Sequence, residues 1–290
     1  MDVRFPGEAN HLAEVGSRLS RQFDFAERLL HYWSAAPLDD GFNQSELPPI
    51  VIKVLAAMRV RSCRLCRSAI ELCKRAEALD AAILARALFD TALIVKFVLK
   101  PEFVPPKVSR KDPVRELPSN PLTRKQRATL YLAHNAFKRA TIIAKHSRDS
   151  GSSHFAARLD EEKREYADAI GPEWTIILQH HPKSYSGLTS RQLADVLGPP
   201  FPRWYDSVYG YLCSHVHVDD IEYYLTVDGQ GDSRVSWHNS TDEVALSLRP
   251  VFPMFHLIAG MMHEHVDFGP EVGSILNGFA VEYRPLDDSE

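Results

Sequence analysis

The sequence is poor in cysteine: Cys63, Cys66, Cys73 and Cys213 are all it has, and three of them fall within one short segment. That spacing does not make the framework of a disulfide-stapled secreted domain and points to a reducing, cytoplasmic setting. The opening "MDVRFPGEANHLAEV" lacks both the apolar core and the small-residue cleavage site of a signal peptide. The stretch "AAILARALFDTALIVKFVL" is strongly apolar but carries Arg86, Asp90 and Lys96. A membrane span needs about 20 predominantly apolar residues with few or no charges, so this reads as a buried helix and no membrane partner is expected. Walker, GxGxxG, GxSxG and HExxH patterns are also missing, which excludes the commonest nucleotide-binding and hydrolase signatures. No cofactor, and in particular no nucleotide cofactor, is expected.

What is present is ordinary for a globular chain. Of 290 residues, 44% are hydrophobic and 25% charged, enough for a sizeable core. The net charge of −4 hides a strong asymmetry. Lys107–Arg148 holds eleven Lys/Arg against Asp112 and Glu116, a net of +9, whereas His215–Glu290 holds three arginines against fourteen acidic residues, a net of −11. Such polarity suits a basic face for a polyanion, or two halves that attract each other.

Helical periodicity dominates. In "PPIVIKVLAAMRVRSCRLCRSAIELCKRAEAL" apolar residues recur at Ala56, Val60, Cys63, Cys66, Ile70 and Cys73, at i, i+3 and i+4 spacing. Pro48 and Pro49 sit where a missing N–H costs little. The pattern predicts helices over about Val51–Leu79 and Ala81–Leu99, packed antiparallel across a turn near Ala78–Ala82. Thr123/Gln126, Thr189/Gln192 and Ser240/Glu243 have capping-box spacing, and Gly198 follows "SRQLADVL" where a positive φ favours glycine. Between His217 and Ser240 the period changes, and "IEYYLTV" and "SRVSWHN" around "DGQGD" predict one small β-hairpin near 221–239. A last long helix from Asp242 to about Val266 should kink or break at Pro250 and Pro253. The expected architecture is all-α: a single mostly helical domain over 1–290, with a C-terminal hairpin and helix at 218–283.

Three constellations are candidates for chemistry. The cysteines of "CRLC", with Cys73, ride on the apolar stripe of a helix, whereas zinc needs ligands that converge tetrahedrally; they read as core residues, and no metal is expected there. Arg86 and Asp90 lie one helical turn apart in an apolar segment. They form either a structural ion pair or an arginine held by Asp90 and aimed at an anion. "RWYDSVYGYLCSHVHVDD" and "MMHEHVDFG" supply His215, His217, Asp219 and Asp220, then His263, Glu264 and His265. On a helix, rings two residues apart are about 200° apart and share a metal poorly. A metal-dependent hydrolase built from these residues is therefore the remoter reading.

The order of these segments resembles the DUF5677 family of uncharacterised bacterial proteins. "ARALFDTAL", "SYSGLTSRQLADVLG" and "YGYLCSHVH" look like three of its segments, and the likeness spans about Val51 to His217. The last segment also resembles the Arg-x4-6-His element of HEPN domains, helical proteins of RNA cleavage and prokaryotic phage defence. This resemblance implies a HEPN-like multi-helix bundle, likeness to ribonucleases that cut RNA without metal, and homodimers that join an arginine and a histidine across a cleft. His217 takes the histidine position. The arginine position is Gly210, so the charge must come from elsewhere, with Arg86 and Arg203 the candidates. The resulting candidate site is His217 and Arg86 as catalytic residues, supported by Asp90, Tyr209 and Ser214. The competing reading is a catalytically inert helical interaction module that forms a homodimer.

Overall fold

A computed structural model describes residues 8–36, 42, 45–105, 118–146, 153–180, 184–210, 225–227, 233–235 and 239–287. They are mostly helical. The chain, expected as one domain, clusters into two compact units made of interleaved segments: Met1–Ser45, Ala56–Ala92 and Arg203–Glu290 form the first, Glu46–Leu55 and Leu93–Pro202 the second.

The first unit begins with two helices that the sequence reading did not identify, α1 (Glu8–Arg18) and α2 (Ser20–Ala35). Glu8 in the first turn of α1 and Arg18 in its last match the helix dipole. Phe23, Phe25, Ala26, Leu29 and Trp33 are the buried face of α2. Phe25 meets Phe252 and Phe279 edge-on, at 5.5 and 5.4 Å between ring centroids. Arg59, 1% exposed, donates to the carbonyls of Trp33 and Ala36 at 2.6 Å each and so caps the C-terminal end of α2.

Arg59 belongs to α3 (Pro49–Lys74), which is followed by α4 (Ala78–Leu99). The turn between them falls at 75–77, earlier than predicted, and Ala76 takes φ 55°. A tertiary contact explains the difference. Glu77 offers a poor N-cap, and Asn239 replaces it: its Oδ1 accepts from the N–H groups of Ala78 (2.8 Å) and Leu79 (3.3 Å). The Asn239 N–H in turn donates to Ala76 O at 3.1 Å. Within this unit the two helices run antiparallel, as expected. Arg61 donates from Nε to Thr91 Oγ1 at 3.2 Å, and both residues lie equally far in sequence from Ala76.

Pro250 breaks the C-terminal helix as predicted, into α9 (Thr241–Leu248) and α10 (Val251–His263). Pro253 does not break it again, because in the first turn of α10 its missing N–H would have no intrahelical acceptor anyway. Thr241–His263 taken as one segment is long and apolar enough to cross a membrane by composition, its most apolar 18-residue window having mean hydropathy 1.4, yet 61% of that window is buried inside the protein, as in a core element. A further helix, α11 (Pro270–Asp287), follows. A Cβ on its Gly273 would lie 2.6 Å from His263 Nε2, so glycine there permits the close approach.

In the second unit, α5 (Arg124–His146) precedes a longer helical segment, α6 (Ser153–His180), interrupted at Gly171 with φ 82°. Then come α7 (Ser190–Leu197) and a short α8 (Phe201–Trp204) that continues into the first unit. Thr189/Gln192 and Ser240/Glu243 form reciprocal capping boxes, and Thr123 and Gln126 exchange the same pair of bonds. Gly198 has φ 78°. Arg127 is fully buried, and its guanidinium donates to the carbonyls of Phe97, Val98, Lys100 and Leu122. Arg124 Nε donates to Leu99 O at 3.0 Å. Two arginines thus satisfy the orphan carbonyls at the C-terminal end of α4, where the helix dipole also favours positive charge.

Of the predicted hairpin region, the described parts are β1 (Leu225–Val227) and β2 (Ser233–Val235), paired antiparallel with Thr226 opposite Arg234. Their connection lies outside the described residues, as do 211–224.

Candidate functional site

The site residues that the structure describes lie in the first unit, around the middle of α4. Arg86 is half-buried there, and its guanidinium donates from Nη2 to Tyr209 Oη at 3.2 Å. The same guanidinium carbon lies 5.1 Å from the centre of the Tyr209 ring, so a cation–π contact accompanies the hydrogen bond. Tyr209 closes a π-helical turn, Tyr205–Tyr209, that interrupts the helix after α8. Such turns recur at functional sites because they displace side chains from ordinary helical register. Here Tyr205 and Tyr209 stack at 4.7 Å with ring planes 21° apart, and Phe89 packs on Tyr209 at 5.2 Å. Tyr209 thus contacts the guanidinium of Arg86, the ring of Tyr205 and the ring of Phe89.

Asp90 does not play the part expected of it. No ion pair within 4 Å joins it to Arg86 among the described residues; the direct partner of Arg86 shown here is a tyrosine hydroxyl. Geometry explains the outcome, because the tyrosine offers Arg86 an acceptor and a π face together. Burial pushes the Asp90 carboxyl above the usual carboxylate range, against the opposing charges of Arg86 and Arg61. Asp90 is thus a carboxyl between two arginines whose charged form is disfavoured by desolvation. The phenol hydroxyl of Tyr209 gives Arg86 a neutral acceptor.

His217 and Ser214 lie outside the described residues, together with Cys213, His215, Asp219 and Asp220. Gly210 is helical, at φ −59° and ψ −48°, and a Cβ built there meets nothing within 4 Å. Arg203, the other candidate to replace the missing arginine, is exposed. Arg61, Phe89, Thr91 and Tyr205 were not singled out from sequence. Two tyrosines four residues apart ahead of Gly210 were the available signal.

The remaining candidates divide clearly. Cys66 and Cys73 are buried as predicted, whereas Cys63 is only half-buried, and all three are free thiols. Burial raises all three thiol pKa values, Cys73 to about 12. No group of three metal-capable side chains occurs among the described residues. In the basic segment, Arg124 and Arg127 are used as helix caps and Arg139 pairs with Glu162 at 2.6 Å. These three charges therefore serve the fold.

The family model for DUF5677, a family of unknown function, matches residues 53–232. The chain belongs to this family. The DUF5677 match contains Arg86, Asp90, Tyr209, Gly210 and His217, and it extends past His217 through β1. No curated protein and no solved structure matches the chain.

Proposed function

We propose that the protein is a HEPN-like helical RNA-binding protein that cleaves RNA without metal, as a component of prokaryotic defence or toxin systems. The observation that carries this reading is the Arg86–Tyr209 contact. It puts a half-buried guanidinium against the residue just before Gly210, in the chain segment that leads to His217. In this reading Arg86 supplies the cation that Gly210 lacks, and stabilises charge developing on the scissile phosphate. The imidazole of His217 moves the proton of the ribose 2′-hydroxyl. Tyr209 positions Arg86, Asp90 tunes the electrostatics around it, and Ser214 supports His217. The 221–239 hairpin is an insertion on a HEPN-like bundle, and a homodimer completes the cleft.

The test is cleavage of a structured RNA in EDTA by the full chain. His217→Ala and Arg86→Gln should each lower the rate by about 10²-fold or more while circular dichroism stays unchanged. Gly210→Arg is sterically open at Cβ and should raise the rate or rescue Arg86→Gln. No cleavage by the parent chain, and none gained in Gly210→Arg, refutes the ribonuclease reading.

Gly210 itself favours a second reading, a catalytically inert helical module that retains the shape of the motif and forms a homodimer. It requires a dimer in sedimentation, no affinity for RNA, and unchanged dimerisation in His217→Ala.

A further inference from the structure

Away from Arg86, a groove of about 390 Å³ opens between α2 and α3 within the first unit. Two ties set its ends. At one, Arg59 is bonded to the carbonyls of Trp33 and Ala36; at the other, Lys74 pairs with Glu27. Between these ties the facing helices leave a space lined by His31 and Ser34 from α2 and by Cys63, Arg64, Arg67 and Glu71 from α3, with Leu30 and Ile70 as apolar surface.

Its charges are not evenly used. Both carboxylates on the wall, Glu27 and Glu71, are engaged by Lys74. Arg64 and Arg67 have no carboxylate within 4 Å among the described residues, and both are exposed. They are three residues apart on one helix, which places their Cβ atoms about 5–6 Å from each other and lets two planar forks converge on one group. A phosphate has enough acceptor oxygens for both guanidinium groups. The volume falls in the range of small-molecule sites, about 300–1,000 Å³, and exceeds what a bare phosphate fills. Leu30, Ile70 and Cys63 give an organic body an apolar wall. Glu27 and Glu71 offer acceptors to its hydroxyl or amino groups.

We propose that this groove binds a small organic phosphate, a phosphomonoester with a hydroxyl- or amine-bearing body. Arg64 and Arg67 hold the phosphate, with His31 on the facing helix. This site uses none of the residues assigned to RNA and is independent of that reading.

Cys63 reports occupancy directly, since it lines the groove while Cys66 and Cys73 are buried. The experiment alkylates the native full chain with iodoacetamide and follows Cys63 by peptide mass spectrometry, with ribose 5-phosphate, AMP, adenosine or inorganic phosphate present. Either organic phosphate at about ten times its Kd should slow Cys63 modification about tenfold, while adenosine does not. The double variant Arg64→Gln/Arg67→Gln alters exposed side chains only, so it should fold, keep the unprotected rate and lose protection. Absence of protection by both organic phosphates, equal protection by adenosine, or protection that survives the double variant overturns the proposal. Equal protection by inorganic phosphate overturns the organic-body part of it.

Discussion

Replacing Arg127 by methionine should strongly destabilise the second unit, and the structure sets the size of the effect. The guanidinium is fully buried and donates to four backbone carbonyls, those of Phe97, Val98, Lys100 and Leu122. Burial and the neighbouring Arg124 hold its pKa down to about 10, so at neutral pH it stays charged at a desolvation cost that these carbonyls must offset. Methionine fills much of the volume and removes the charge, which relieves that cost, but it leaves the carbonyls without donors. If water reaches two of the four, the two that stay dry cost about 1–3 kcal/mol each, a loss of up to about 2–6 kcal/mol from which the relieved desolvation is subtracted. For a chain of this size that corresponds to a fall in Tm on the order of 3–10 °C. Arg127→Lys should recover little, because one ammonium cannot span carbonyls that a fork reaches. Urea unfolding followed by circular dichroism at 222 nm measures both variants. A loss below about 1 kcal/mol for Arg127→Met would refute the argument that these carbonyls depend on the guanidinium.

Asp90→Asn tests the electrostatics around Arg86. The Asp90 pKa is raised in the folded state, so the protein holds an extra proton between the ordinary carboxylate value and the raised one. The resulting stability is fully present below the unfolded pKa of about 3.9 and is lost as pH rises through the folded pKa. Asn keeps the shape without the charge, so at pH 7 the variant should be at least as stable as the parent, with the difference vanishing in acid. A loss above about 1 kcal/mol at pH 7 would instead make the carboxylate a required partner of Arg86 or Arg61. Gly273→Ala puts a methyl 2.6 Å from His263 Nε2 and should cost about 1–3 kcal/mol, with His263→Ala in the same chain restoring most of it. Thermal unfolding of the single and double variants decides, and a harmless Gly273→Ala would show that α11 shifts freely.

The features legible in the residues alone are those decided within one or two helical turns. Proline at 250 falls beyond the first turn of its predicted helix, where it has no N–H to continue the ladder, and the Thr189/Gln192 and Ser240/Glu243 boxes close over three residues, so these features follow from spacing. The apolar stripe with Cys66 and Cys73 and the antiparallel α3–α4 pair within the first unit were readable from helical spacing and a short turn, and membership of DUF5677 from the order of three segments along the chain. The errors occurred where distant residues compete with local ones. Asn239 moves the start of α4 by capping Ala78 from 161 positions away, and Arg86 turns from its i+4 neighbour Asp90 to a tyrosine 123 positions away. Arg127 and Arg124, counted from sequence as part of a basic face, are drawn to the end of α4 instead. A polar side chain takes the best acceptor that folding brings within about 3 Å, and helical spacing identifies only the acceptors of its own helix. Secondary structure was therefore written locally, whereas the partners of Arg59, Arg86 and Arg127 were chosen by packing.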